Sequence, residues 1–249
     1  MSSALDNIVV VLQRPRKLVN IAGAVRAMKN MGLRRLRLVQ PAEYSPYEIE
    51  GIAHRSADVL SATTIHEHLD DALADAIYVV GTSARSREAG APPVAPRALA
   101  PALLARAAEG PVALLFGPED NGLTNHDLDR CHALIAIPTD PAYASLNLAQ
   151  AVLLVAYELR MAAEVAAPAR QRPFRPADAG QLEALFGALE RALWAVEFFK
   201  AHQAEGMLRT LRSLVHRAEP DVREAALLKA MAMETLNFLR RKGLAPPEE

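Results

Sequence analysis

The sequence predicts an α/β fold with a parallel sheet, followed by a small all-α C-terminal domain. Residues Asn7 to Gln13 form a continuous apolar, β-branched run, which is typical of a strand buried on both faces of a parallel sheet. Segments with apolar residues at helical spacing lie between this strand and the later predicted strands, as in βαβ units. Three domains are predicted: residues 1–165 with the sheet, a basic proline-rich linker at 166–178, and a helical extension at 179–249.

The chain opens with a βαβ unit. After the first strand, helical spacing runs from Leu18 to Met31, and Leu36 to Val39 predicts a second strand. Asn20 is the expected N-cap of the helix and Gly32 its expected C-terminal cap. A right-handed parallel arrangement of the two strands is the default for such a unit.

The later elements follow from weaker patterns in the middle of the chain and stronger ones after it. The third C-terminal helix is expected to begin at Pro220, because proline is favoured in the first turn of a helix. The predicted elements are helices at 47–53, 67–74, 98–108, 146–164, 182–196, 207–215 and 220–241, and strands at 62–65, 76–81, 112–116 and 134–137.

Charge and cysteine content restrict the classes of function. The 249 residues carry 28 basic and 29 acidic side chains, yet eight basic and no acidic residues lie between Arg14 and Arg37. We call this stretch the basic segment. It indicates a local surface for an anionic partner such as a nucleic acid, and an ordinary solvated face explains it equally well. The single cysteine, Cys131, excludes an intramolecular disulfide framework, and no metal site is predicted.

Several other classes lack their motifs. The N-terminal residues have no signal-peptide pattern and no apolar run reaches membrane-spanning length, so a cytoplasmic protein without a membrane partner is expected. The first strand is not followed by a Gly-x-Gly-x-x-Gly motif, and the chain has no Gly-x-x-x-x-Gly-Lys phosphate loop. Ser83 and Ser86 lack the context of a hydrolase nucleophile elbow.

Three polar segments remain as candidates for a ligand site. Asn20 and Arg26 lie in the first helix, inside the basic segment. Gly117 to Leu123 follows a predicted strand, and Ser145 to Ala149 begins an apolar helix. Polar loops at the carboxyl ends of parallel strands are where α/β proteins bind ligands. These segments therefore predict a binding site, without defining its chemistry.

The three segments resemble, in order and spacing, the three motifs of the SpoU/TrmH branch of the SPOUT RNA methyltransferases. They read Asn20-Ile-Ala-Gly-Ala-Val-Arg26-Ala-Met-Lys-Asn-Met-Gly32, Phe116-Gly-Pro-Glu-Asp-Asn-Gly-Leu123 and Ser145-Leu-Asn-Leu-Ala149. The helical extension is similar to that of the TrmJ type, so the resemblance covers nearly the whole chain. It implies a SPOUT-type parallel sheet with a C-terminal trefoil knot, and a homodimer formed through the knotted region.

The resemblance also implies S-adenosyl-L-methionine as the cofactor. Small residues and loop amides suit its adenine and ribose, while apolar side chains cover the purine. The positions that match cofactor contacts in the family are Thr82, Ser83, Ala84, Gly117, Ile137, Ala144, Ser145 and Leu146.

The implied reaction is methylation of a ribose 2′-hydroxyl in RNA, with nucleotide 32 of the tRNA anticodon loop as the expected target. A ribosomal RNA target is an alternative, and so is a catalytically silent RNA-binding protein of the same fold. A ribose hydroxyl is a poor nucleophile, so the site must accept its proton or stabilise the developing alkoxide. Arg26 is expected to clamp a phosphate and stabilise this oxyanion, and action as a general base stays open.

The other implied catalytic residues are Asn20, Glu119, Ser145 and Asn147. Asn20 would orient Arg26 or the RNA, and the other three would hold the ribose or the loops around it. Asn20, Glu119 and Asn147 each also have a purely structural explanation. Asn20 and Asn147 would cap helices, and Glu119 would tie the turn from Gly117 to Gly122. The expected RNA contacts are Arg14, Arg16, Lys17, Arg26, Arg85 and Arg87.

Two departures from the family pattern bear on these expectations. Ala22 stands where the first motif commonly has glycine, and it is expected to tighten the approach of RNA or cofactor. Pro118, Asp120 and Asn121 stand where TrmJ-type relatives often have arginine or other residues. The second departure concerns RNA specificity and leaves the expected cofactor site unchanged.

Overall fold

The computed structural model describes residues 4–83, 92–165, 174–199 and 204–244. Within these ranges the chain forms a parallel sheet flanked by helices. The elements in chain order are β1 (Ile8–Gln13), α1 (Leu18–Met31), β2 (Arg35–Val39), α2 (Pro46–Ile52), α3 (Ala57–Ser61), β3 (Thr64–His66), α4 (Leu69–Leu73), β4 (Tyr78–Thr82), α5 (Pro96–Ala107), β5 (Val112–Phe116), α6 (Asn125–Leu128), β6 (Ala133–Ile135), α7 (Leu148–Glu164), α8 (Ala179–Ala195), α9 (Ala204–Ala218) and α10 (Val222–Arg241).

The six strands are parallel and lie in the order β3-β2-β1-β5-β4-β6, which confirms the predicted sheet. Every residue of β1 and β5 is buried, as expected for the central strands of a sheet covered on both faces. The chain winds outward from β1 to β3 and then crosses to the other side. Neighbouring strands β1 and β5 therefore flank a point where the winding reverses.

Helices cover both faces of the sheet. On one face the apolar side chains of α1, α5 and α7 pack against residues such as Val10, Leu12 and Leu114. On the other face Val9, Val11 and Leu115 pack against α4 and the start of α8. The described helices are all too short or too polar to span a membrane. The implied trefoil knot stays a prediction.

Helices α1 and α7 approach each other closely at one glycine. A Cβ atom on Gly23 would lie 2.7 Å from the Cβ atom of Ala149, a separation that real side chains do not show. Gly32 ends α1 with a φ of 81°, which confirms the predicted C-terminal cap. The N-cap, however, is Lys17, so the prediction that Asn20 caps α1 was wrong. Asn20 is the third helical residue, and its side chain bonds to distant partners instead.

The three C-terminal helices pack on one another and on the sheet domain. Helix α8 packs along α10, and small residues, Ala188 and Ala232 among them, form their contact. Helix α9 packs on α8, where Val215 joins the same apolar cluster as Phe186, and it contacts the sheet domain, where Arg209 pairs with Asp129 at 3.0 Å. The predicted linker is described only from residue 174, and there Ala177 is buried and donates its N–H to the Pro220 carbonyl. The exact domain boundaries stay a prediction.

Two stacked histidines join α9 to the sheet domain. The ring of His216 lies 4.3 Å from that of His132, and its Nδ1 is 3.0 Å from the Cys131 carbonyl oxygen. His132 Nδ1 accepts a hydrogen bond from the Val79 N–H. Burial lowers the pKa of His216 to about 4, and burial also places the pKa of His132 well below its usual value. Both rings are therefore neutral at physiological pH.

The predicted elements match the observed ones to within a few residues at each end, with two helices missed. Helices α3 and α6 have only five and four residues, too short for an apolar period to show. A capping box marks the start of α6, where Thr124 and Asp127 form reciprocal hydrogen bonds across the first turn. That Thr-x-x-Asp pattern was available in the sequence.

Candidate active site

Three loops at the carboxyl ends of the strands enclose a cavity of about 490 Å³. The loop after β5 supplies Gly117 to Leu123, and the loop after β6 supplies residues from Ile137 to Leu146. Thr82 and Ser83 at the end of β4 form part of the wall, and Phe116, Ile135 and Leu148 are among the apolar lining. The volume lies in the range of small-molecule sites, and the lining is mixed polar and apolar.

The structure brings together all seven predicted cofactor residues that it describes. Ala84 is the eighth, and it lies outside the described residues, as do the predicted RNA contacts Arg85 and Arg87. The seven that line the cavity are Thr82, Ser83, Gly117, Ile137, Ala144, Ser145 and Leu146.

Gly117 lets the loop after β5 fold back on itself. A Cβ atom at this position would lie 2.4 Å from both the carbonyl carbon of Gly122 and the amide nitrogen of Leu123. A side chain therefore does not fit, whatever its conformation. Because Gly117, Gly122 and Leu123 all line the cavity, this tight turn determines the shape of its wall.

A chain of side-chain hydrogen bonds connects the three motif segments. Asn20 Nδ2 donates to Glu119 Oε1 at 2.6 Å, and Asn147 Nδ2 donates to Asn20 Oδ1 at 2.9 Å. Asn20 is 8% exposed, so its amide bridges the loop after β5 and the start of α7 from a buried position. We call Glu119, Asn20 and Asn147 the amide bridge. It joins segments 99 and 127 residues apart in sequence.

Glu119 also fixes the backbone of the basic segment. Its carboxylate accepts hydrogen bonds from the N–H groups of Arg16 at 3.1 Å and Lys17 at 3.4 Å. Burial would raise the pKa of this carboxyl, but the bonds from Asn20 and from these backbone groups outweigh burial and lower it. The charged carboxylate therefore ties the start of α1 to the cavity wall. This goes beyond the expected role of bracing the turn at Gly117 to Gly122.

Asn147 has both of the roles considered for it. As the N-cap of α7, its Oδ1 accepts from the Ala149 N–H at 2.9 Å, while Gln150 completes a capping box. Its Nδ2 is the group that reaches Asn20. Ser145 is exposed two residues earlier and lines the cavity.

Arg26 lies apart from the amide bridge. It is exposed on α1, six residues beyond Asn20, which is about 9 Å along the helix axis and on a different side of it. It does not line the cavity, and no described residue forms a hydrogen bond or ion pair with its guanidinium. Asn20 therefore does not hold Arg26 directly, because both of its amide atoms are already bonded to other side chains.

Half of the basic segment is neutralised by nearby carboxylates. Lys29 pairs with Asp58, Arg35 and Arg37 share Asp75, and Arg16 pairs with Asp120 at 3.0 Å. In the part of the chain that the structure describes, the side chains of Arg14, Lys17, Arg26 and Arg34 have no carboxylate partner. Three of these four were predicted RNA contacts, Arg14, Lys17 and Arg26.

The structure corrects one expectation and adds two residues. Ala22 is fully buried in the core, so it cannot tighten the approach of RNA or cofactor, and that prediction was wrong. The neighbouring Gly23 is the position that matters, because it sets the spacing of α1 and α7. Sequence reasoning also missed Gln13 and Asp127, whose buried side chains bond at 3.0 Å behind the loop after β5. A glutamine ending a wholly buried strand was the available signal.

Comparison with known proteins identifies the family. The SpoU rRNA Methylase family profile matches residues 7–157, which include β1 to most of α7 and all three motif segments. The chain belongs to this family. The profile of the tRNA methyltransferase TrmJ C-terminal domain matches residues 180–243, the region of the last three helices.

Similar proteins align with nearly the whole chain. The tRNA (cytidine/uridine-2′-O-)-methyltransferase TrmJ of Cronobacter sakazakii is 38% identical over 234 residues, which are 91% of this chain and 95% of the relative. The TrmJ of Salmonella typhimurium is 39% identical over 233 residues, with the same coverage.

Among solved structures, that of TrmJ from Z. mobilis ZM4 is similar, with a TM-score of 0.79 and 33% identity. It covers 91% of this chain and 97% of its own. A probable methylase family protein from Haemophilus influenzae has a TM-score of 0.62 at 33% identity and covers 96% of this chain and 99% of its own.

Proposed function

We propose that this protein is a cytoplasmic, S-adenosylmethionine-dependent methyltransferase that methylates a ribose 2′-hydroxyl of tRNA, at nucleotide 32 of the anticodon loop. The observation that carries the proposal is the amide bridge beside the 490 Å³ cavity, because it unites all three motif segments of the family at one sheet edge. Relatives named as tRNA 2′-O-methyltransferases align over 91% of the chain and include the C-terminal helices.

The residues of the cavity fit S-adenosylmethionine. When bound, this cofactor supplies an electrophilic methyl group. The loop at Gly117 would offer main-chain hydrogen bonds to polar edges, and the small side chains of Ala144 and Ser145 in the lining would leave room for the ligand. Ile137, Leu146 and Leu148 provide an apolar surface for a purine ring.

Three basic side chains would contact the RNA, and one carboxylate would hold the basic segment in place. Arg26 is exposed, without a described partner, and its planar fork would bind a phosphate and stabilise negative charge on the ribose oxygen. Arg14 and Lys17 add positive charge on the same segment, which positions a polyanion without reading its bases. Glu119 holds that segment against the cavity wall through the Arg16 and Lys17 amides.

We infer a homodimer through α7 and the loops beside it. The inner face of α7 is buried in the core, yet Leu153, Leu154, Tyr157 and Met161 are 37 to 43% exposed along its outer face. Positions 153, 154, 157 and 161 form one stripe of a helix, and an apolar stripe of this kind marks a protein contact. A Tyr157→Glu variant is expected to be monomeric by light scattering, and a dimer of unchanged stability would contradict this interface.

The function is tested by transfer of a tritiated methyl group from labelled S-adenosylmethionine to RNA. Incorporation into tRNA lacking its own methylation, followed by mapping to nucleotide 32, is the expected result. Incorporation into ribosomal RNA alone would replace the proposed substrate with the alternative one. Binding of tRNA in a gel without any transfer would identify a silent RNA-binding protein and overturn the proposal.

A further inference from the structure

Helix α10 has two apolar faces, and only one of them has a partner in the described residues. Ala225, Ala232 and Leu236 pack toward α8 and its neighbours. On another side, Leu227, Met231 and Phe238 are 63, 61 and 50% exposed, and Leu228 is 37% exposed. An apolar stripe of four large side chains on one helix is more than the scattered exposure of an ordinary surface.

The exposed stripe has the spacing of a coiled coil. Six positions follow one another at intervals of four and three residues, which is the heptad pattern of a and d positions. We call this row the α10 seam. Its members are Glu224, Leu228, Met231, Thr235, Phe238 and Lys242. Thr235 fits an apolar seam, because its hydroxyl already donates to the Met231 carbonyl at 3.0 Å.

The charges at the two ends of the seam favour a second seam as the partner, in antiparallel orientation. Glu224 begins the seam and Lys242 ends it. Two seams in antiparallel orientation would place Glu224 of each beside Lys242 of the other, Leu228 beside Phe238, and Met231 beside Thr235. Two parallel seams would place like charges together at both ends, which destabilises a helix pair. The seam is therefore self-complementary about a twofold axis.

We propose that the α10 seam packs against the α10 seam of a second copy of this chain, in antiparallel orientation. This contact is separate from the α7 stripe and does not depend on the proposed function. It covers the apolar surface that the small α8 and α10 core leaves exposed. RNA is a poorer occupant, because the central four positions of the seam carry no positive charge.

Disulfide cross-linking of the full-length chain tests the orientation directly. In a Cys131→Ser background, chains with Met231→Cys are mixed with chains with Thr235→Cys. The mixed disulfide is expected to form at least about ten times faster than either self-pair, because cysteines bridge only at short Cα separations. Ala226→Cys mixed with Ala230→Cys is the control, since both residues are exposed on α10 away from the seam.

Two outcomes of this experiment would overturn the proposal. Faster formation of the Met231 self-pair would indicate parallel helices. Cross-linking no faster than the alanine control would mean that the seam does not meet a second seam, whether it is free or covered by another molecule.

A charge exchange tests the ends of the seam in the intact chain. In a Tyr157→Glu background, which is expected to remove the α7 contact, Glu224→Lys alone and Lys242→Glu alone are each expected to weaken association, by about fivefold, because each places like charges together. An equimolar mixture of the two variants is expected to restore association, since every end pair is again of opposite sign. Sedimentation measures all three samples, and a mixture as weak as its components would contradict the antiparallel pairing.

Discussion

The side-chain amide of Asn147 donates a hydrogen bond to the side-chain oxygen of Asn20 across 2.9 Å. One residue begins α7, beside the cavity, and the other lies in α1, beside the basic segment. Because Asn20 also donates to Glu119, three side chains connect the start of α7 to the backbone of Arg16 and Lys17. The geometry links the proposed cofactor and RNA surfaces.

An Asn147→Asp variant separates capping from bridging. Aspartate caps a helix as well as asparagine does, so α7 and the melting temperature are expected to change little. The variant cannot donate to Asn20, and the new carboxylate faces an unpaired acceptor at that position. We expect kcat/KM for methylation to fall about 100-fold, corresponding to loss of a partly buried hydrogen bond with an acceptor left opposite it. Unchanged methylation activity, together with unchanged stability, would mean that Asn147 only caps α7.

An Arg26→Lys variant tests the guanidinium. Lysine keeps the charge but cannot form the planar, two-pronged contact with phosphate and oxyanion. Methyl transfer is expected to fall at least about 100-fold while tRNA affinity in a filter-binding assay changes less than about threefold. Near-normal transfer by this variant would remove Arg26 from the mechanism. Arg34→Lys is the matched control, because Arg34 is exposed in the same basic segment and has no proposed role.

A Gly23→Ala variant probes the spacing of α1 and α7. The new methyl group would meet Ala149 at 2.7 Å, so the helices must move apart. Overpacking of this kind costs about 1–3 kcal/mol, more than the gain in helix propensity of about 1 kcal/mol. A Gly206→Ala variant in α9 has open space around the new methyl and is expected to be stabilised. Urea unfolding compares the two, and a stabilised Gly23→Ala protein would contradict the tight contact.

A Gly117→Ala variant is expected to lose cofactor binding. Its methyl group would lie 2.4 Å from the backbone of Gly122 and Leu123, so the loop must open. The cavity wall formed by this loop would then change shape, and binding of S-adenosylhomocysteine by calorimetry is expected to weaken about 100-fold or more. Gly51→Ala, in open space on α2, serves as the control. Unchanged affinity in Gly117→Ala would show that the ligand lies elsewhere.

The histidine pair predicts that the protein loses stability on mild acidification. The pKa of His216 is near 4 in the folded protein and about 6.5 when unfolded, so below pH 6.5 only the unfolded state gains the proton. The free energy of unfolding should therefore fall as the pH drops from 7 to 5, by about 2 kcal/mol for this residue, with His132 acting in the same direction.

A His216→Phe variant isolates this contribution. It keeps an aromatic ring against His132 and Phe186 but cannot be protonated. Its decrease in stability between pH 7 and 5, measured by urea unfolding, is expected to be smaller than that of the unmodified chain by about 2 kcal/mol. An unchanged decrease would mean that His216 is solvated and not buried between the two domains.

Local patterns predicted the sheet and most helices because burial repeats along the sequence. β1 and β5 are uninterrupted apolar runs, and buried positions such as Val25 and Met28 recur along α1 at helical spacing. The same logic misplaced the N-cap of α1. Asn20 was assigned to the backbone of its own helix, whereas Lys17 begins α1 without a side-chain cap.

The positions of the site's loops could be predicted from the ends of the strands, but the side-chain hydrogen bonds between those loops could not. The amide of Asn20 bonds to Glu119 and Asn147, and neither partner lies within 90 residues of it in sequence. Likewise, Asp58 and Asp75 neutralise Lys29, Arg35 and Arg37, so only part of the basic segment stays available to a polyanion. Pairings of this kind depend on tertiary contacts that a linear pattern does not contain.

The amide bridge also bears on the order in which the molecule assembles. Its three residues come from the first helix, the loop after the fifth strand and the start of the seventh helix, and β1 pairs with a strand about one hundred residues later. Contacts between segments so distant in sequence form slowly, because the intervening chain must first be closed into a loop. A nascent chain that contains only β1, α1 and β2 therefore lacks two of the three residues of the amide bridge, Glu119 and Asn147. The proposed active site is complete only when α7 packs on α1 and Asn147 reaches Asn20.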